Sequence, residues 1–475
     1  MKVLSVASEC APLIKTGGLA DVAGALPAAL APHGCTIKTL LPGYPKVMDQ
    51  IAETEVVATL PDLFGGNGRI LAATAAGLDL LILDAPHLFM RDGSPYLGPD
   101  GRDWPDNPER FAALSWAAML IARDGVEDGW KPDIVHGHDW QAGLAPYYLR
   151  RHSPGTKSVL SIHNIAFQGL APPWRLNSMR IDASDFHPNS AEYYGQISAL
   201  KTGLLNADKL TTVSPTYARE LLTEEFGMGL QGVLRDRRDD LVGILNGIDL
   251  DAWNPETDPE IRTYRTPKGK APNKIALQEE FGLPDGDGPL CIVVSRLTEQ
   301  KGLDLLIDAL PALTENGGRL ALLGSGQPEL ESAWQSCAAR FANVSVKLGY
   351  DEALSHRMMA GADAILIPSR FEPCGLTQLY GLRYGTIPVV ALTGGLADTV
   401  INASDAGVKA GVATGLTISP LTADCLHDGL LRLCSLFSDS KVWTKMRRNA
   451  MRHSVGWESS GAAYAALYKD LADST

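Results

Sequence analysis

Two clusters in this chain combine cations, a carboxylate and glycines at spacings that suit the handling of a sugar phosphate. Ser295-Arg296-Leu-Thr-Glu-Gln-Lys301-Gly302 ends an apolar run and leads into helix-like sequence at Leu303–Leu310. An arginine grips phosphate oxygens through two parallel N–H groups, and a lysine beside it adds a compact charge. Such a pair suits a diphosphate leaving group, whose negative charge grows as its bond breaks. Pro368-Ser-Arg370-Phe-Glu372-Pro-Cys-Gly375-Leu-Thr377 follows a second apolar run. Glu372 precedes a proline, which places it in a turn, where a carboxylate accepts hydrogen bonds from sugar hydroxyls. The amides from Gly375 onward, with the Thr377 hydroxyl, form a helix-start phosphate seat. The Cys374 side chain reads as a small packing group.

The hexapeptide Thr-Gly-Gly-Leu-Ala-Asp occurs twice, at Thr16–Asp21 and Thr393–Asp398, each time between a strand-like run and a helix-like one. A Gly-Gly turn lets backbone approach a ligand, and the helix behind it presents free N–H groups and a positive dipole end. Its presence in both halves points to two similar α/β units that share a phosphate-bearing ligand. Lys15, directly before the first copy, can reach the same diphosphate. Asp21 falls in the first helical turn, where dipole stabilisation alone would account for it. His136-Gly-His138-Asp139-Trp140 and His163-Asn164 also follow strand-like runs, as residues of a sugar site would. The two histidines could serve a metal, but no carboxylate or cysteine set accompanies them, and no metal site is expected.

These residues need a scaffold that delivers strand ends to one place, and the pattern supplies it. Candidate strands are Lys2–Ala7, Leu78–Leu83, Ile134–His136, Ser158–Ile162 and Lys209–Val213 in the first half. In the second they are Leu290–Ser295, Leu320–Leu323, Val344–Lys347, Ala364–Ile367 and Ile387–Ala391. Helix-like stretches such as Leu19–Leu30 and Phe111–Ala122 lie between them, the alternation of parallel sheets covered by helices. A length of 475 residues implies at least two domains. The polar, proline-containing stretch from Asn246 to about Pro284 is the expected boundary. Ligands of such sheets sit at the carboxyl ends of strands, so the expected site lies between the domains.

A net charge of −13 argues against a general nucleic-acid or membrane-surface binder. No run is apolar for the ~18 residues a membrane span needs. The seven scattered cysteines form no CxxC pair, which points to a reduced, cytoplasmic chain. The chain contains no G-x-S-x-G, no Walker A and no G-x-G-x-x-G after the first strand, so neither a serine hydrolase nor a dinucleotide enzyme is indicated.

Taken together, the motifs resemble the bacterial glycogen synthase and plant starch synthase family over nearly the whole chain. The resemblance rests on Ser8-Glu9 with Pro12-Leu-Ile-Lys15-Thr-Gly-Gly-Leu-Ala-Asp21, His138-Asp139-Trp140, Ile162-His163-Asn164, Val213-Ser214-Pro215, Asn246-Gly-Ile-Asp249, Ser295-Arg296-Leu-Thr with Gln300-Lys301-Gly302, and Ser369-Arg370-Phe-Glu372-Pro-Cys-Gly-Leu. It implies a GT-B fold, with two Rossmann-like α/β domains facing each other across a deep cleft. The implied domains are 1–245 on the acceptor side, 246–455 on the donor side, and 456–475 as a helix crossing back.

It further implies retaining transfer of glucose from ADP-glucose to the end of an α-1,4-glucan, without metal or pyridoxal phosphate. Arg296, Lys301, Glu372, His163 and Asp21 become the expected catalytic set. Lys15, Gly17, Gly18, Asn246, Tyr350, Cys374, Gly375, Leu376 and Thr377 join Arg296 and Lys301 in holding the donor, with Tyr350 stacking on adenine. Tyr96, Asp139 and Trp140 are expected to face the acceptor. Leu392 departs from the pattern, since the family usually has a basic residue there. The alternatives are a GT-B enzyme with another nucleotide sugar or acceptor, and an inactive glucan-binding protein. Oligomeric state is not legible.

Overall fold

Strands buried on both faces need continuous apolar runs, and that is where the central strands lie. The computed structural model describes residues 1–473. They divide into two compact units, one comprising Met1–Asn246 with the segment from Trp457, the other Gly247–Gly456.

The first unit carries β1 (Lys2–Val6), β2 (Thr36–Pro42), β3 (Glu55–Leu60), β4 (Gly68–Ala75), β5 (Leu78–Asp84), β6 (Ile134–His138) and β7 (Lys157–Ile162). A small sheet of β8 (Leu170–Ala171), β9 (Glu192–Tyr193) and β10 (Gln196–Ser198) follows, then β11 (Lys209–Thr212) and β12 (Leu241–Gly243). The main sheet runs β12-β11-β7-β6-β1-β2-β5-β4-β3. From β12 to β5 every pairing is parallel, and β3–β4–β5 adds an antiparallel edge. Val3 and Leu4 face Ile134 and Val135 across the centre, all four buried.

The helix Glu458–Asp473 packs in this first unit through buried Tyr464, Tyr468 and Leu471. It lies close against the helix Gly18–Leu30, since a Cβ on Gly461 would stand 2.5 Å from the Ala29 carbonyl oxygen.

The second unit carries β13 (Leu290–Val294), β14 (Arg319–Gly324), β15 (Val344–Leu348), β16 (Ala364–Ile367), β17 (Ile387–Ala391) and β18 (Leu416–Ile418). They form one parallel sheet in the order β15-β14-β13-β16-β17-β18. Order reverses between β14–β13 and β13–β16, the switch point at which open α/β sheets place ligands. All ten strands read from the apolar runs are present, within two residues at each end.

The units divide at the start of the expected boundary stretch, between Asn246 and Gly247. Residues 247–284 belong to the second unit, where Trp253 is sandwiched between His356 (ring centroids 3.8 Å apart) and Tyr380 (3.7 Å). The helix Ala271–Phe281 lies inside this stretch and buries Leu277 and Phe281. Its pattern was masked because Ile275 is exposed while Asn273 and Gln278 are buried.

Candidate active site

In the first unit the loop after β1 carries Lys15 and the Gly17-Gly18 turn. Its shape is fixed by Glu9, whose buried carboxylate accepts from the amides of Thr16 and Gly17 (3.2 Å for the latter), the Thr16 hydroxyl (2.7 Å) and the Tyr96 phenol. Tyr96 also meets Ser8 Oγ at 2.8 Å, so its hydroxyl braces the turn rather than standing free for an acceptor. The Gly17 amide is likewise occupied by Glu9. Above this base Lys15 is exposed and pairs with Asp21 at 2.8 Å. A Cβ on Gly17 would meet nothing within 4 Å, so this copy of the hexapeptide borders open space.

Behind that loop, β6 and β7 end in a histidine row in which His136 and His138 are buried and His163 is half-buried. Ser5 Oγ meets His138 Nε2 at 3.1 Å, and His138 Nδ1 meets His163 Nε2 at 3.0 Å. His136 bridges the Tyr468 hydroxyl and Ser161 Oγ, each at 2.7 Å. Burial pushes His136 down to about 3 and His163 to about 4, and holds His138 well below its ordinary value, so all three are neutral imidazoles.

Asp139, with φ +55°, turns its carboxylate onto the His163 amide (2.6 Å) and more loosely onto the Asn164 amide (3.4 Å). Burial raises its pKa to about 7, against the pull of those two amides. Its contacts thus set the His163 loop. Trp140 packs edge-on against Phe111 (5.0 Å) and covers Gly169.

In the second unit the loops after β13 and β16 meet. Gly302 has φ +62°, and a Cβ there would stand 1.9 Å from the Pro368 carbonyl oxygen, so only glycine permits the approach. Arg370 ties the loops through a two-pronged bond to Asp304 (2.7 and 2.6 Å) and through its backbone amide to Gln300 (2.8 Å). Between them lies a cavity of about 200 Å³ lined by Arg296, Lys301, Ser369, Glu372, Gly375, Leu376 and Thr377 among others. Lys301 Nζ donates to Glu372 Oε2 at 2.5 Å, and Ser369 Oγ donates to the same oxygen at 2.8 Å. Arg296 is exposed and has no carboxylate partner among the described residues. The arrangement can neutralise an anion through Arg296 while Lys301 and Glu372 hold each other ready for a polar ligand.

The structure thus gathers Arg296, Lys301, Glu372, Gly375, Leu376 and Thr377 in the second unit. In the first it gathers Lys15, Gly17, Gly18 and Asp21 as one group, and Asp139, Trp140 and His163 as another. Cys374 is buried, in keeping with packing. Tyr350, 76% exposed, caps the end of β15 and donates to Glu352 at 2.8 Å, outside the cavity lining. Asn246 is buried with its Oδ1 unpartnered among the described residues.

The second hexapeptide differs from its expected phosphate-facing role. Gly394 and Gly395 are buried, and the Gly395 amide is taken by the carbonyls of Glu372 and Pro373, both at 3.1 Å. Sequence reading assigned no role to Glu9, a lone carboxylate after a strand. Its signals were its place one loop before a Gly-Gly turn and the Ser8-Glu9 pair among the residues that carry the family resemblance. Among the described residues no three His, Cys, Asp or Glu side chains converge as a metal set, and no helix is long and apolar enough to cross a membrane.

Residues 2–236 match the family described as starch synthase catalytic domain, and residues 275–452 match glycosyl transferases group 1. With two Rossmann-like units and a cationic cavity at the switch point of the second sheet, the molecule is a glycosyltransferase of the GT-B class. Among solved structures, the catalytic domain of starch synthase IV from Arabidopsis thaliana, bound to ADP and acarbose, is similar with a TM-score of 0.87. The two are 32% identical, over 99% of each chain. The glycogen synthases of Paracoccus denitrificans and Jannaschia sp. are 63% and 60% identical, each over 99% of both chains. This chain belongs to the glycogen synthase family.

Proposed function

We propose that the chain transfers glucose from ADP-glucose to the non-reducing end of an α-1,4-glucan, with retention and release of ADP. The observation that carries this reading is the cavity where Arg296, the Lys301–Glu372 pair and the Gly375–Thr377 helix start converge. Arg296, Lys301 and Thr377 take the diphosphate, joined by Lys15 and Gly18 from the first unit. Tyr350 stacks on adenine, and Glu372, His163 and Asn246 hold the glucose with Asp21 nearby. Asp139 shapes the acceptor side with Tyr96 and Trp140 behind it. The ADP and acarbose in the Arabidopsis structure support a nucleotide and a glucan-like ligand of this kind.

Cleavage of the donor passes through an oxocarbenium-like state. Glu372 is the single carboxylate in the cavity, and it is engaged by Lys301 and Ser369. Same-face substitution therefore fits better than a double displacement: the departing phosphate accepts the acceptor's proton, and Arg296 and Lys301 stabilise its charge. No metal or pyridoxal phosphate takes part, and the working location is the cytoplasm.

The test is incorporation of label from radiolabelled ADP-glucose into precipitated glycogen, with UDP-glucose in parallel. Strong preference for ADP-glucose is the expected result. Label from UDP-glucose alone overturns the donor, and glycogen binding without transfer overturns the reaction.

A further inference from the structure

The loop that bears Glu372 and the phosphate seat is held from behind by groups to which the donor reading gives no role. The Glu372 and Pro373 carbonyls accept from the Gly395 amide. The next two carbonyls, Cys374 and Gly375, accept from Gln378 Nε2 at 3.0 and 2.9 Å. Four consecutive carbonyls are therefore drawn to one side. A trans peptide points its N–H opposite to its C=O. Drawing the Cys374 and Gly375 carbonyls inward thus turns the amides of Gly375 and Leu376 outward, on the side where those residues and Thr377 line the cavity. Neither amide donates to backbone among the described residues.

Gln378 is an unusual choice for packing alone. It is fully buried, and its Oε1 finds no partner among the described residues. A buried acceptor left unsatisfied costs stability, and apolar side chains of the same length avoid that cost. Gly375 has φ +70°, a conformation that favours glycine, and a Cβ there would stand 2.4 Å from Gln378 Oε1. Thr399 completes the brace: its hydroxyl donates to the Gly395 carbonyl at 2.6 Å and lies 3.3 Å from Gln378 Nε2. Gly394 and Gly395 leave no room for a side chain, with the Glu372 and Cys374 carbonyl oxygens 1.9 and 2.1 Å from their would-be Cβ atoms.

We propose that Gln378 is a positioning residue that turns the Gly375 and Leu376 amides onto a bound diphosphate. Gly395 of the second hexapeptide, with Thr399 just after it, is the support against which it works. The repeated motif then has two uses: one copy borders a ligand, the other holds a ligand-binding loop in shape. This inference rests on the donor reading and assigns residues behind that site.

Gln378→Met tests it, because Met keeps length and removes both the donor and the unpartnered oxygen. ADP and UDP affinity are measured by calorimetry on the full chain, alongside thermal melting and KM for ADP-glucose and glycogen. The expected result is ADP binding weakened about ten- to a hundredfold, as for lost amide contacts to an anion. KM for glycogen and the melting temperature should be held or, for the latter, raised. Thr399→Val should weaken ADP binding in the same direction by a smaller factor, which covers the case in which Gln378→Met fails to fold. Equal ADP affinity in wild type and both folded variants overturns the inference alone. A wild type that binds neither nucleotide overturns the donor reading and this inference with it. Loss of affinity only in proportion to loss of melting temperature reduces Gln378 to a packing residue.

Discussion

At the scale of single residues, the proposed reaction has the cations of the second unit act where charge develops rather than where it already rests. Removing one preorganised group from a developing oxyanion costs turnover by about 10²–10³. Arg296→Ala and Lys301→Ala should therefore lose kcat by a factor of that order, with a smaller change in KM for ADP-glucose. A large KM rise at unchanged kcat, measured in steady-state transfer, would count against leaving-group stabilisation. Lys301→Ala also strands Glu372, whose Oε2 then keeps only Ser369.

The histidine row gives a second prediction. His136, His138 and His163 have folded pKa values below the ordinary 6.5, so the unfolded chain binds their protons first, and stability falls as pH drops from about 6.5 toward 4. Asp139, raised to about 7, works the other way: its contribution is present below about 4 and is lost as pH rises toward 7. Three groups against one leave a net loss on acidification, of order 1–3 kcal/mol per pH unit between 6 and 5. Urea titrations at pH 5, 6 and 8 check it. Stability that is flat or rising toward pH 5 would falsify the neutral histidine row. Asp139→Asn should steepen the slope, because it removes the opposing term while keeping an oxygen for the His163 amide.

At the scale of elements, the two hexapeptides show how far identical sequence can differ in use. Gly17 is extended at φ −156° and borders open space, so Gly17→Ala should change stability by less than ~0.5 kcal/mol. Gly394 has φ +45° and backbone 1.9 Å from its would-be Cβ, so Gly394→Ala should cost about 1–3 kcal/mol or more. Thermal melting of the pair decides it, and equal losses would mean that the second turn yields more easily than its packing implies.

The same contrast explains what was legible. Strands such as Leu290–Val294 and Ala364–Ile367 are buried on both faces and announce themselves as apolar runs. β2 and the β3–β4 hairpin were not read, since exposed Thr36, Glu55 and Arg69 and half-buried Lys38 break their apolar pattern. Arg296, Lys301 and Glu372 were legible because charge at the end of an apolar run is conspicuous. Glu9 and Gln378 were not, because their work is to hold backbone groups that only the folded chain brings near them. Sequence identity likewise hid the burial of the second Gly-Gly turn, which depends on what packs over it.

At the scale of the whole molecule, each unit encloses its own core, and no buried residue of one cluster belongs to the other. The first unit is closed by a segment far away in sequence: the helix Glu458–Asp473, whose Tyr468 hydroxyl partners His136. Residues 1–246 therefore depend on the end of the chain for part of their packing, whereas residues 247–456 do not. Ligand and mutation should then report on different units. ADP at a hundred times its Kd should stabilise by about 2.7 kcal/mol whatever it binds. Because most of the residues proposed to hold the diphosphate lie in the second unit, hydrogen-exchange protection should rise first around β13, β16 and the helix Thr377–Tyr384. Tyr468→Ala removes a fully buried aromatic and leaves His136 Nδ1 without its partner, a change of about 3–5 kcal/mol. Its faster exchange should be confined to β1, β6, β7 and the helix Gly18–Leu30, with the β13 and β16 amides as slow as in wild type. If Tyr468→Ala loosened both units equally, the cores would be energetically one, and the phosphate seat would owe its shape to the first unit as much as to Gln378 and the second hexapeptide.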